Sequence, residues 1–389
     1  MTTTIIISFC VLLLTAYLFD LTSAKTKIPS VILLLLLGWA VRQLTEWLDI
    51  RLPDFSPVLP VFGTVGLILI VLEGSLELEL NRSKFNLIGK SFLGALIPML
   101  ALAFLLAYAF HYFGHYSLKD SLINAIPFCV ISSAIAIPSV RNLSSYNKEF
   151  VIYESSLSDI IGVLIFNFLA INETIAAHSF GNFVLQLLVI TVISFIATIG
   201  LSYLLSKIEH HIKFVPIMLL VILIYALSKI YHLPGLIFIL LFGLFIGNLD
   251  ELKHFKWIQK LKPSELDQEV RKFKELIIEG TFLVRTLFFL LFGYFIETSE
   301  VLNAATFLWA IDIVLAIFIF RAIQLKLSRL PLQPLLFIAP RGLITILLFL
   351  SIDASHTISF VNKSLIIQVI ILTALTMMFG LMINKRENK

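Results

Sequence analysis

The sequence predicts an all-α integral membrane protein of about thirteen transmembrane helices, and three observations carry that prediction. The first is composition: of 389 residues 59% are hydrophobic, 34 are Phe, only 14% are charged, and the mean hydropathy is +0.99. A water-soluble domain needs far more charge on its exterior than this. The second is that apolar runs of about 17 to 25 residues, long enough to cross a hydrocarbon layer of about 30 Å as a helix, recur from end to end. The third is that basic residues gather on alternate sides of those runs, the bias that orients membrane helices.

The runs fall roughly at 4–20, 28–44, 57–78, 87–111, 120–141, 152–172, 180–206, 214–229, 233–248, 281–297, 301–325, 332–352 and 359–383. The first has neither a basic segment ahead of it nor a small-residue cleavage site before Lys25, so it is expected to persist as a helix rather than act as a signal peptide. With the N-terminus outside, segments after odd-numbered spans are cytoplasmic. They carry 21 of the 29 Lys and Arg, against five on the other side: Arg42, Arg51, Lys119, Lys229 and Lys363. The remaining three, Arg285, Arg321 and Arg341, lie within spans. One missed helix would scramble this alternation. The expectation is a multi-pass protein of the cell (inner) membrane with its C-terminus in the cytoplasm, and the net charge of +4 is a topology signal rather than a mark of nucleic acid. Cys10 and Cys129 both fall inside spans and point to neither a disulfide framework nor a metal cluster.

A polar stretch at about 250–280, rich in Lys and Glu, follows the ninth span and reads as a cytoplasmic linker helix. Two spans contain helix-breaking chemistry. The fifth has Ser132 and Ser133 between Pro127 and Pro138, and the twelfth has Pro334 and Pro340 before Arg341 and Gly342. Freed backbone groups at membrane depth are tolerated only inside protein or along a cavity. Interrupted helices at matching positions of two halves mark transporter binding sites. Spans 1–6 (about 1–172) and 8–13 (about 214–384) make two such halves of one polytopic domain, 1–389, with opposite topology and the broken spans expected to cross.

Four charges then converge on one layer. Measured from the cytoplasmic ends of their spans at about 1.5 Å per residue, Glu73, Glu154, Asp159 and Arg321 lie between that face and the midplane. An ionised group at such depth is disfavoured by about 3 kcal/mol on insertion scales. Glu154 and Asp159 stand about 140° apart around a helix and must face different neighbours. Arg321 needs a carboxylate, and its planar fork suits Glu154. This assignment leaves Asp159 and Glu73 as the carboxylates available to an ion. With Ser155, Ser158 and the opened backbone near Ser132 and Ser133 they offer oxygen ligands to a hard monovalent cation, by the logic that gives hard cations oxygen donors. A carboxylate desolvated beside a second one readily takes up a proton when its cation leaves. Asp312, nine residues from Arg321, is expected to be a structural hydrogen-bonding acid. Arg285 is expected to be structural, and the histidines at span ends, among them His111, His115, His210, His211 and His232, to be interfacial.

Taken in order, Leu72-Glu73-Gly74-Ser75-Leu76, Ser132-Ser133-Ala134, Glu154-Ser155 with Ser158-Asp159, Phe320-Arg321-Ala322 and Pro340-Arg341-Gly342 resemble the electroneutral monovalent cation/proton antiporters, the NhaP and eukaryotic sodium/proton exchanger type. The resemblance covers all the spans. It implies that Asp159 binds cation or proton, that Glu73 and Ser155 add ligands to Na+ (or K+ or Li+), and that Glu154 pairs with Arg321. It further implies that Arg341 stands near a cytoplasmic funnel beside the second broken helix. It also implies core and dimerisation domains, a homodimer, elevator-like alternating access, and no cofactor beyond the transported ions. Ser158 replaces the usual Asn or Asp before the aspartate, which removes the usual label of stoichiometry; the lack of a second aspartate still favours one cation per proton. Ser132-Ser133-Ala134 replaces Thr-Asp-Pro and is closer to the potassium-efflux branch, so K+/H+ exchange is the alternative.

A gated cation channel would need a repeated filter motif, and none is visible. An enzyme is not expected, because no Gly-x-Ser-x-Gly, His-Glu-x-x-His or paired metal-ligand motif occurs.

Overall fold

The computed structural model describes residues 2–26, 28–49, 54–79, 82–140, 143–172, 177–207, 212–249 and 263–383. Every regular element among them is helical: α1 (Thr2–Thr26), α2 (Ser30–Trp47), α3 (Leu59–Glu77), α4 (Phe85–Gly114), α5 (Leu118–Cys129), α6 (Ser133–Ser139), α7 (Ser145–Ile171), α8 (Ala177–Lys207), α9 (Phe214–Ile230), α10 (Gly235–Gly247), α11 (Pro263–Tyr294), α12 (Thr298–Val301), α13 (Ala304–Leu327), α14 (Leu343–Leu350) and α15 (Lys363–Ile383). Among the described residues ten stretches are long and apolar enough to cross a bilayer, with α5 and α6 counted as one, and α9 and α10 are shorter apolar helices.

The interruptions fall where proline and hydroxyl residues cluster. The fifth expected span is α5, an extended Val130–Ser132 segment and then α6. The twelfth is a single 3-10 turn at Leu335–Phe337, irregular backbone through Gly342, and then α14. The polar stretch is not a separate helix where it can be followed. From Pro263 it continues without a break into the next span as α11, while residues 250–262 lie outside the described residues, as do His210 and His211.

Two compact units divide the chain. The first comprises Met1–Thr64, Ser91–Gly162 and Leu283–Lys389. Within it α1 lies against α2, α5 against α14 and α13 against α15. The backbones of α2 and the end of α11 touch. A Cβ added at Gly38 would stand 2.2 Å from the Leu290 carbonyl oxygen, and one at Gly293 2.4 Å from that of Leu35. Only glycine permits that approach, the usual way membrane helices gain contact when lipid is as apolar as their side chains. Gln368 of α15 fastens α13 by accepting from Thr306 Oγ1 at 2.8 Å and donating to the Asn303 carbonyl at 2.9 Å.

The second unit comprises Val65–Lys90 and Val163–Phe282. Here α10 packs on α8 and α9, burying Phe238, Phe242 and Phe273 completely. Lys213 pairs with Glu269 at 2.5 Å and Lys274 with Glu77 at 3.8 Å, while Asn248 donates to the Leu78 carbonyl at 2.8 Å.

Candidate ion-binding site at the helix breaks

In the first unit, breaking α5 from α6 frees backbone donors and acceptors that water cannot reach, and each must find a partner. The N–H of Ile131 goes to the hydroxyl of Ser158 at 2.9 Å. The N–H of Ser132 goes to the Pro340 carbonyl at 2.9 Å, so the two interruptions meet backbone to backbone. The N–H of Ser133 reaches Asp159 Oδ2 at 3.4 Å. The Phe128 carbonyl, at the end of α5, accepts from Arg341 Nε at 2.5 Å. Ser158 and Asp159 are neighbours on α7, so one turn of that helix holds both edges of the break.

Asp159 is buried, with 1% of its surface exposed. Its Oδ2 also accepts the hydroxyl of Ser133, while Oδ1 has no hydrogen-bond partner among the described residues, and neither does the buried hydroxyl of Ser132 or of Ser156. Ser155 donates to the Val151 carbonyl of its own helix at 2.7 Å, leaving its oxygen able to accept or to ligate. At the first helix break the unpartnered oxygens among the described residues are Asp159 Oδ1 and Ser132 Oγ, with Ser155 and Ser158 on the same helix as Asp159. No group of three or more His, Cys, Asp or Glu residues suited to a metal ion occurs among the described residues. A single carboxylate with hydroxyls and carbonyls is a donor set for a weakly held monovalent ion rather than a resident divalent one.

Glu154, one and a half turns earlier on α7, faces elsewhere. Its Oε1 accepts from Arg321 Nη1, both residues being buried. Arg321 Nε donates to the Leu335 carbonyl at 3.1 Å, so this pair also anchors the 3-10 turn of the second interrupted span. Gly94 on α4 makes room for it: a Cβ there would stand 2.8 Å from Gln324 Nε2 and 3.0 Å from Glu154 Oε1. Arg341 is buried too. Besides the Phe128 carbonyl, it donates from Nη1 to the Ala339 carbonyl at 2.9 Å, and its backbone N–H goes to Thr373 Oγ1 at 3.1 Å. One guanidinium thus holds carbonyls from both interruptions.

Glu73 belongs to the second unit, half-buried near the end of α3. Arg285 forms an ion pair with Asp20 of α1 at 3.6 Å; Asp20, a lone acid near the end of the first apolar run, was the available signal for it. Asp312 departs from expectation. It is exposed on α13 and makes no hydrogen bond or ion pair among the described residues, because a half-turn offset from the buried Arg321 points it away from the helix bundle. Gly94, which no charge or motif flags, could not be read from the sequence.

A family model described as "Sodium/hydrogen exchanger, transmembrane" matches residues 10–385. No curated protein matches the sequence. Among solved structures, the sodium proton antiporter MjNhaP1 from Methanocaldococcus jannaschii at pH 8 superposes with a TM-score of 0.64 at 19% identity, covering 98% of this chain and 96% of that one. An electron-microscopy structure of the same antiporter gives 0.69 at 17% identity, with 98% and 95% covered. At these identities the likeness speaks for the fold.

Proposed function

The chain belongs to the sodium/hydrogen exchanger family, and from that premise we propose that it exchanges Na+ for H+, one for one, by competition at Asp159. The observation that carries this reading is the half-satisfied carboxylate: buried, bound by Ser133 on one oxygen and, among the described residues, without a partner on the other. A charge in that position requires a counter-ion, and a neutral acid requires a proton. Cation and proton are alternatives at one oxygen. If the site faces one side of the membrane at a time, loading one and releasing the other is exchange.

Asp159 carries the ion, with Ser132, Ser133 and Ser155 as neighbouring donors and Ser158 closing the helix break beside them, and Glu73 of the second unit is the other carboxylate assigned to the transport cycle. Glu154 and Arg321 hold the architecture, and Arg341 holds the broken helices. One titrating carboxylate supports electroneutral stoichiometry, since the site has the same charge with Na+ or H+ bound. Ser132-Ser133-Ala134, in place of a carboxylate-bearing motif, favours a second reading with K+ as the cation.

The wider reading is a protein of thirteen spans with inverted repeats at about 1–172 and 214–384 and crossed broken spans. It works as a homodimer in the cell membrane, N-terminus outside, and serves pH homeostasis; the distribution of basic residues supports that orientation. No cofactor is assigned beyond the transported ions. Proteoliposomes with an imposed proton gradient, challenged in turn with Na+, K+ and Li+, test the assignment. Wild type should dissipate the gradient with Na+ and Asp159→Asn should not; full activity in the variant would overturn the site. Transport that is insensitive to a clamped membrane potential supports one-for-one exchange.

A further inference from the structure

Asp312 is an acid on the exposed side of an apolar helix of membrane-spanning length. It shares that side of α13 with Leu308, Leu315, Ile319 and Ile323, which follow helical spacing and are 71%, 56%, 57% and 48% exposed. No hydrogen bond or ion pair engages it among the described residues. A bare carboxylate against acyl chains is strongly disfavoured, and an acid in such a place has a partner.

Its surroundings indicate which. Asp312 lies eight residues into α13, about 12 Å from the helix start. Side chains on a helix lean toward its N-terminus, which carries this carboxylate back toward the nearer membrane interface. One turn before it is Trp309, whose ring meets those of Phe113 at 5.7 Å and Phe360 at 5.4 Å. Tryptophan is enriched at the lipid headgroup level, where its amphipathic ring sits. A carboxylate, an indole and an apolar stripe therefore occupy one face in the order in which a phospholipid presents a cation and then its chains.

We propose that this face of α13 docks a phospholipid with a primary ammonium headgroup, of the phosphatidylethanolamine class. The ammonium donates hydrogen bonds to Asp312 and lies against the Trp309 and Phe113 rings, and the acyl chains follow Leu315, Ile319 and Ile323. A quaternary choline headgroup has no N–H to give the carboxylate, and an anionic glycerol headgroup is repelled by it. A second copy of the chain meeting this face about a two-fold axis that passes near Asp312 is the poorer occupant, because it sets Asp312 against Asp312.

Native mass spectrometry of the full chain, extracted with equal amounts of phosphatidylethanolamine, phosphatidylcholine and phosphatidylglycerol, tests this. Wild type should retain the ethanolamine lipid over the choline lipid by about fivefold, the scale of one exposed charged or cation–π contact. Asp312→Asn should bring that ratio near one, and Asp312→Glu should keep most of it. Equal retention of the three lipids by wild type, an unchanged ratio in Asp312→Asn, or a co-purifying protein released by that substitution would each overturn the proposal. Asp159→Asn should bind lipid as wild type does, so failure of the transport reading and failure of this one are separable.

Discussion

The hydroxyl of Ser158 accepts the backbone N–H of Ile131 at 2.9 Å, so the residue preceding Asp159 closes the helix break that Asp159 faces. Ser158→Ala removes the partner of a buried donor. It should lower stability by about 1–3 kcal/mol, read as a fall in unfolding midpoint in detergent, while leaving the apparent Na+ affinity near that of wild type. A large affinity loss at unchanged stability would instead make Ser158 an ion ligand.

Arg321 joins Glu154 to the Leu335 carbonyl. Glu154→Gln leaves a buried guanidinium uncompensated, at about 3–5 kcal/mol, and should appear as low folded yield. The swapped pair, Glu154→Arg with Arg321→Glu, should recover only part of that yield, because a glutamate cannot donate to Leu335. Normal yield with abolished transport in Glu154→Gln would reassign the residue to the ion path.

Gly94→Ala places a methyl group against Gln324 and against the oxygen of Glu154 that Arg321 holds. Gln324 can move aside, whereas Glu154 is tethered, so a loss of about 1–3 kcal/mol is expected, the usual range for overpacking. Gly94→Val should lose more. Thermal unfolding of the two variants checks the order, and an Ala variant as stable as wild type would show that the site relaxes freely.

Arg341 donates to Phe128 and Ala339 from two different nitrogens of one planar group. A lysine has a single nitrogen on a flexible stem and cannot hold both carbonyls in that geometry. Arg341→Lys should reduce stability by about 1.5–3 kcal/mol, the value of one hydrogen bond to a charged group, and slow exchange. Exchange rates at equal reconstituted protein provide the measurement, and a fully active lysine variant would mean that charge alone suffices.

Competition at one carboxylate fixes how the apparent KM for Na+ varies with pH. The protonated acid cannot bind the cation, so KM should rise as pH falls, by up to about tenfold per pH unit on the acidic limb, the limit for one proton displaced per cation. Proteoliposome titrations from pH 6 to 9 would measure the slope. A KM independent of pH would exclude competition at Asp159.

The multi-pass helical character, the two interruptions and the divergence of Glu154 from Asp159 were legible along the chain, whereas ten of the thirteen expected spans are long and apolar enough to cross a bilayer among the described residues. Each depends on local quantities: run length against bilayer thickness, proline and hydroxyls within a helix, and about 100° of turn per residue. The polar stretch at about 250–280 reads in the sequence as a separate linker helix because its charges contrast with the apolar run after it. Helix continuity responds to breakers rather than to polarity, and α11 runs straight through.

By itself, then, the sequence determined that this is a multi-pass helical membrane protein and which side chains carry charge at depth, because burial in lipid leaves a mark in composition and period. Only the tertiary structure decided what those side chains touch. It set Ser158 on Ile131, made Arg341 the clasp of both broken spans, required glycine at position 94, and left Asp312 on the outer face of α13. The Ser158–Ile131 and Arg341–Phe128 bonds join residues 27 and 213 positions apart, and local pattern holds no record of which distant backbone group needs a partner.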